Sequence, residues 1–422
     1  MVRRILIGLL LLLSISASAI AQVPVLVQLG PSGNAATVAN AFGGSVVDSI
    51  PEANLHLLNL PNFPILSLPT QALLGINFLE ADYTVGLPNR GKIGILSIAG
   101  KTSSNWYINQ PELKRIGAVS ALSKSRGRGI IVADINSSVD YGHPALTGHL
   151  TSGYDFVSAR ASYQGTLDQS GATFLDQSGA TFLDQSGATF LDQASSTFLN
   201  QSGATFIDSS ATFLDGNPAY AHGTLCAGII AAMAPDSIVM PLRVFDSNGN
   251  SDVFSITRAI YFAVRNGARV INMSFGMSQS YNSVSAALNF AANAGVIVVA
   301  SAGNANVSTP QYPASTSNVI SVAAVNSADV KASFSNYGST IDVDAPGVNI
   351  ISAFPGGYYE MVSGTSFSAP MVAAEAALIM AEKNSGNPMT VINSSTVNIS
   401  AQNPNYIGQL GYGRINVLSA VK

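Results

Sequence analysis

From Trp106 to Lys422, apolar runs alternate with Ala-rich stretches. Ile130 to Ile135, Ile238 to Val244, Val270 to Met273 and Val296 to Ala300 read as strands, and the stretches after Gly223 and Ser366 read as helices. This alternation predicts a three-layer α/β domain over residues 106–422 with a mainly parallel sheet. In such sheets sites form beyond the carboxyl ends of strands, and Asn136 and Asn304 both sit at such ends. Residues 22–85 predict a separate small α+β unit. Val23 to Leu29, Ser45 to Val47 and Leu55 to Leu60 look extended, Asn34 to Phe42 looks helical, and Phe78 to Tyr83 closes the unit. The Gly/Ser-containing stretch 86–105 reads as a linker.

At the N-terminus, Arg3 and Arg4 precede the apolar run Ile5 to Leu13 and then Ala19-Ile20-Ala21. This pattern predicts a cleavable signal peptide over residues 1–21, since the run is too short for a transmembrane anchor. The mature chain carries no second long apolar segment, so it is expected to be secreted or periplasmic, with no membrane span. Tandem octads occupy 167–215, beginning Leu167-Asp168-Gln169-Ser170-Gly171-Ala172-Thr173-Phe174. An even period returns each side chain to the same face of an extended chain, so stacked short strands are one expectation and a surface loop the other. The glycine-rich calcium repeat is absent from this insertion.

Composition narrows the class: 422 residues, 47% hydrophobic and 10% charged, with a formal net charge of -4. Such a chain can bury a sizeable core. Weak acidity and the absence of Lys/Arg runs remove the electrostatic footprint of a nucleic-acid binder. Cys226 is the chain's single cysteine, so no internal disulfide can form, and it reads as a buried thiol in a helix. No His/Cys cluster has metal-ligand spacing and no cofactor is evident, with calcium at some other loop left open.

Three segments carry candidate chemistry. Ser366, in Ser363-Gly364-Thr365-Ser366-Phe367-Ser368-Ala369-Pro370, stands among small residues where a helix begins, as a nucleophile approached by a substrate backbone requires. Taken alone it would be a helix cap. His222, in Ala221-His222-Gly223-Thr224, is the general-base candidate, with a core or capping histidine as its alternative. Asn304, in Ala302-Gly303-Asn304, could donate its amide to an oxyanion or serve as a turn residue.

In order along the chain these blocks, with Val139-Asp140-Tyr141-Gly142-His143-Pro144, Ile271-Asn272-Met273-Ser274-Phe275-Gly276, Tyr312-Pro313-Ala314-Ser315, Asp344-Ala345-Pro346-Gly347 and Gly411-Tyr412-Gly413-Arg414-Ile415-Asn416, resemble the subtilisin-like serine proteases, or subtilases. The resemblance implies peptide-bond hydrolysis through an acyl-enzyme on protein or peptide substrates. It implies a subtilisin-like fold, with Ser274, Phe275 and Gly276 as the substrate-binding strand. It also implies that residues 22–85 are an inhibitor-type propeptide whose C-terminal tail occupies the site until cleaved.

One position departs from the family. The triad aspartate falls seven residues before His143, and that residue is Asn136, reached without a gap from Gly129 as well. An amide lacks the charge that stabilises the imidazolium; in another serine protease the Asp-to-Asn change costs about 10⁴ in turnover, roughly 5.5 kcal/mol. Asp134, two residues earlier on the same strand face, is a possible substitute carboxylate, although the two Cβ atoms would be about 7 Å apart. Its partner is either His222 or a set of backbone donors and water. Asp140 belongs to the structural segment in the resemblance. The expectation is a secreted, zymogen-like serine endopeptidase of low activity; the alternative is a silenced pseudoprotease that binds a peptide or protein. A carboxylate on a His222 ring nitrogen favours the first, and Asn136 alone the second.

Overall fold

The chain divides after Ala81 into two units, each with its own core. The computed structural model describes residues 22–87, 91–98, 105–158, 160–161, 204–207, 219–382 and 386–421. The signal-peptide reading and all but four residues of the octad insertion lie outside the described residues.

In the first unit, alternation in Val23–Leu29 makes β1, with Val25, Val27 and Leu29 packed inward. Helix α1 (Ala35–Ala41) follows, started by Asn34, whose side chain accepts the Thr37 N–H at 2.9 Å. Strands β2 (Ser45–Ile50) and β3 (Leu55–Leu60), helix α2 (Leu68–Leu74) and β4 (Ile76–Ala81) complete a β-α-β-β-α-β order. The sheet runs β2-β3-β1-β4 with every neighbour antiparallel. Val38, Leu58 and Leu60 close its core.

The second unit begins with β5 (Thr84–Gly86) and β6 (Gly91–Ile98). The expected linker 86–105 therefore contains a strand. Glycine and serine dominated the reading of this stretch, but Ile93, Ile95 and Ile98 are strand formers. The strand they form lies between two others, in the sheet order β10-β6-β18-β17, with β10 at Ala204–Ile207, β17 at Ile350–Phe354 and β18 at Tyr358–Ser363. The octad residues of β10 are thus extended chain, antiparallel to β6.

The main sheet runs β16-β15-β14-β13-β7-β11-β8-β9. Its members are β7 (Ile131–Asn136), β8 (Tyr154–Asp155), β9 (Arg160–Ala161), β11 (Ile238–Arg243), β13 (Val270–Met273), β14 (Ile297–Ser301), β15 (Val319–Val325) and β16 (Val343–Pro346). All pairs are parallel except β8 with β9. Helices α3 (Ala219–Met233) and α6 (Thr365–Met380) are almost wholly buried, and their Ala-rich surfaces share one core with Val132, Val270, Val299 and Val322. The intervening Ala133, Ile135, Ile271 and Met273 point to the other face and are buried too, where α4 (Val253–Arg265) contacts β7 and β11 and α5 (Asn282–Asn293) contacts β14. Asp134 and Asn136 share the Val132 face, so the strand period turns both toward α3. The three-layer α/β expectation holds.

Candidate active site

Ser366 is the second residue of α6, after Gly364 at the cap. A Cβ on Gly364 would lie 3.4 Å from Asn304 Nδ2 and 3.5 Å from the Phe367 ring. Pro370 lies one turn on and has no N–H to give the Ser366 carbonyl, which a regular helix would supply from that position. The carbonyl instead accepts from Ser274 Oγ at 2.9 Å and Cys226 Sγ at 3.5 Å. The Ser366 hydroxyl in turn donates to the Ser274 carbonyl at 3.0 Å. The start of α6 is therefore tied to the segment that leaves β13.

Asn304 follows β14, and its Oδ1 accepts both the Thr365 N–H at 2.9 Å and the Thr365 hydroxyl at 2.8 Å. A backbone N–H only donates, which fixes the amide and turns its Nδ2 away from Thr365. Thr365 was not singled out from the sequence, although it sits beside Ser366 in the same motif.

His222 lies in the first turns of α3 and is buried. Gly223 lets that helix approach the end of β7: a Cβ there would stand 2.6 Å from the Ser137 carbonyl and 2.7 Å from that of Ser138. The approach places His222 Nδ1 2.7 Å from Asn136 Oδ1. Asn136 Oδ1 also accepts the Ser137 N–H at 2.8 Å, and Asn136 Nδ2 faces both oxygens of Asp134, at 3.2 and 3.3 Å.

Asp134 is completely buried and accepts a further bond from Asn272 Nδ2 at 2.7 Å, on the adjacent strand in register with it. Its hydrogen bonds thus come from two side-chain amides, and neither of the partners expected from the sequence, His222 and the backbone, supplies one. Burial pushes its pKa up to about 7, with the Asn272 and Asn136 amides pulling the other way. Asn272 Nδ2 also reaches Ser274 Oγ at 2.9 Å. One hydrogen-bonded line therefore runs from His222 through Asn136, Asp134, Asn272 and Ser274 to Ser366. Burial raises the Cys226 thiol well above its ordinary pKa, with the Asp134 charge adding to it, so Cys226 stays protonated in this interior.

Asp140 is not part of this line. Its carboxylate accepts the Gly142 and Gly356 N–H groups, both at the surface. Phe275 is buried against the Phe245 ring at 5.1 Å, so this side chain packs in the core.

The sequence reading missed a second backbone edge. Strand β12 (Asn250–Asp252) pairs antiparallel with β5, continued by Leu87 N–H to the Gly249 carbonyl at 2.8 Å and Val253 N–H to the Tyr83 carbonyl at 3.2 Å. Asp82 accepts the Phe254 N–H at 3.0 Å, and Asp252 the Ser255 N–H at 2.6 Å. Residues 82–87 therefore satisfy two of the amides that the start of α4 leaves open. Asp252 as a cap after the Asn248-Gly249 turn was the available signal. Among the described residues no group of three or more His, Cys, Asp or Glu is placed to hold a metal ion.

Residues 127–413 match the model of the subtilase family of peptidases. The chain belongs to this family. Thermitase of Thermoactinomyces vulgaris is 30% identical to this subtilase over 319 residues, covering 73% of the chain and 94% of thermitase. A thermophilic serine proteinase of Bacillus sp. (strain AK1) is 35% identical over 301 residues, 69% of this chain and 61% of that one. In fold, the subtilase is similar to the crystal structure of fervidolysin from Fervidobacterium pennivorans, described as a keratinolytic enzyme related to subtilisin. The TM-score is 0.69 at 22% identity, over 95% of this chain and 61% of that one. The subtilase is thus a subtilisin-like serine protease by family, and among its described residues no helix is long and apolar enough to cross a membrane.

Proposed function

We propose that this subtilase is a secreted endopeptidase of low turnover that cleaves peptides or proteins through an acyl-enzyme on Ser366. The observation that carries the reading is the 2.7 Å contact of Asn136 Oδ1 with His222 Nδ1. An amide oxygen only accepts, so Nδ1 holds the proton and Nε2 keeps the lone pair that a general base needs. A rotation about the Ser366 Cα–Cβ bond brings its hydroxyl from the Ser274 carbonyl toward that base. As Oγ attacks the scissile carbonyl carbon, His222 takes the hydroxyl proton. Asn304 Nδ2 and the Ser366 backbone N–H, near the positive end of α6, meet the oxyanion. His222 then protonates the leaving amine, and water repeats the sequence to free the acid. Asn136 supplies the right tautomer but only a partial charge, which sets the low turnover.

The peptide would lie between the 274–276 backbone and β12 as an added strand. In the unprocessed chain β5 already pairs with β12, which supports residues 22–85 as a propeptide acting as an inhibitor in cis.

A second reading has the same contact in its favour: the side chain on His222 Nδ1 is an amide, and the nearby Asp134 carboxylate is taken up by the Asn136 and Asn272 amides, so the cleft could bind a peptide or protein without cleaving it. Labelling with a serine-directed fluorophosphonate separates the two. The peptidase reading expects Ser366-dependent labelling in the wild type, its loss in Ser366→Ala, and a new N-terminus between about residues 83 and 106 by sequencing of the product. No labelling in a folded wild type, with labelling gained in Asn136→Asp, would establish the silenced form.

A further inference from the structure

We infer that Asp134 is a positioning residue for this reaction: by holding the amide nitrogen of Asn136, it makes the amide oxygen face His222 and so selects the imidazole tautomer that can act as a base. The inference rests on the peptidase reading above and extends it to a residue that touches neither substrate nor imidazole.

An asparagine at this position can face the imidazole in either of two ways. With its nitrogen toward Nδ1, it forces Nδ1 to accept and the proton to sit on Nε2, where a base has nothing to accept with. This wrong tautomer is the source of the large loss in the other protease cited above. Here the choice is made from behind. An ionised carboxylate only accepts, and both Asp134 oxygens face the Asn136 nitrogen at 3.2 and 3.3 Å. On the opposite side the Ser137 N–H, which only donates, stands 2.8 Å from Asn136 Oδ1. A reversed amide would set oxygen against the carboxylate and nitrogen against an N–H.

The same carboxylate fixes Asn272, whose nitrogen is 2.7 Å from Asp134 Oδ1 and 2.9 Å from Ser274 Oγ. With its lone pair used by Asn272, the Ser274 hydroxyl points its proton at the Ser366 carbonyl. Asp134 therefore sets the direction of the bonds that run to both the base and the nucleophile segment. A fully buried carboxylate is costly unless its acceptors are filled, and here two amide groups fill them. Burial favours the neutral form while both amides favour the ionised one, so the acceptor-only state is gained as pH rises through about 7.

The test uses the full-length protein in two backgrounds. Asp134→Asn brings a donor into a space lined by two other NH₂ groups, so one neighbour must turn over. In the wild-type background kcat is expected to fall about tenfold to a hundredfold with KM unchanged, the scale of a hydrogen bond to a charged group. In the Asn136→Asp background the same change is expected to raise kcat, because Asp134 then opposes a second carboxylate and its replacement becomes a donor to it. Opposite signs are what a merely structural role would not produce; equal signs in the two backgrounds would overturn the inference.

A second measurement does not depend on turnover or on the folding of a variant. Nitrogen-15 resonances of histidine-labelled wild-type protein, with His222 assigned by substitution, are expected to place its proton on Nδ1 at about pH 8. A proton on Nε2 would overturn the inference. If the wild type shows no peptide hydrolysis but His222 carries the Nδ1 proton, the peptidase reading fails while the positioning role of Asp134 stands.

Discussion

Ser274 and Ser366 exchange two hydrogen bonds, each hydroxyl donating to the other's carbonyl, at 2.9 and 3.0 Å. One half of this pair exists because Pro370 denies the Ser366 carbonyl its helical donor. Ser274→Ala should therefore leave that buried carbonyl with only the weak Cys226 thiol, at a cost of about 1–3 kcal/mol. Pro370→Ala supplies an N–H in the helix, so the double variant should lose less than the single Ser274→Ala. Urea denaturation of all four proteins gives the coupling directly; simple additivity would show that Pro370 has nothing to do with it.

Gly223→Ala should act on chemistry through geometry. The new methyl would meet two carbonyl oxygens at 2.6 and 2.7 Å, and the first turn of α3 must retreat from the end of β7. The expected outcome is a fall of at least about tenfold in the rate of fluorophosphonate labelling of Ser366, with about 1–3 kcal/mol of lost stability. Labelling at the wild-type rate would mean that the approach of α3 is looser than the contacts require.

Asp82 grips the start of α4 from the segment that carries β5. Asp82→Ala removes one cap contact, worth about 0.5–2 kcal/mol, while Asp252 still serves the helix. In the unprocessed Ser366→Ala chain, exchange of the amides of residues 84–87 should speed up by roughly threefold to thirtyfold. Unchanged hydrogen exchange there would mean that β5 is held by its backbone bonds alone.

Glu375, in the middle of α6, is completely buried, and neither carboxyl oxygen has a hydrogen-bond partner among the described residues. Burial raises its pKa from 4.5 to about 8. Across that window the unfolded carboxyl is ionised while the folded one keeps its proton. Stability from this group is thus complete below the lower value and is lost as pH rises through the upper one, by a few kcal/mol in total, about 1.4 per pH unit at the steepest. Glu375→Gln has no proton to release, so its Tm relative to wild type should rise between about pH 5 and about pH 9. A constant difference would place the burden on another group.

How much of this was legible in the sequence depended on range. Ser366, His222, Asn304 and Asn136 each sit in a short segment at an element boundary, and local pattern was enough to single them out. Asp134 was legible as an anomaly, a carboxylate in an apolar strand, but its partner Asn272 comes from a strand 138 positions away that is adjacent only in the folded sheet. The quoted Ser366 motif contained Pro370, yet its effect on the Ser366 carbonyl requires Ser274 to be in place. Strand β6 was hidden by glycine and serine, whose turn-forming character outweighed a weak alternation of isoleucines. The edge at β12 was missed because three polar residues carry no apolar signal, and the pairing is made by backbone alone.

The two sides of residues 88–90 are anchored very differently. Leu87 is held to Gly249 at the end of a two-stranded ribbon, whereas Gly91 opens a strand with neighbours on both sides and stands opposite Ser363, three residues before the nucleophile candidate. A two-stranded ribbon is marginal by itself, while the inner strand of a larger sheet is not. A break in the short stretch between them would therefore be asymmetric in its aftermath. The upstream end would keep one paired edge and the Asp82 contact with the start of α4, whereas the downstream end would remain woven into a four-stranded sheet beside Ser363.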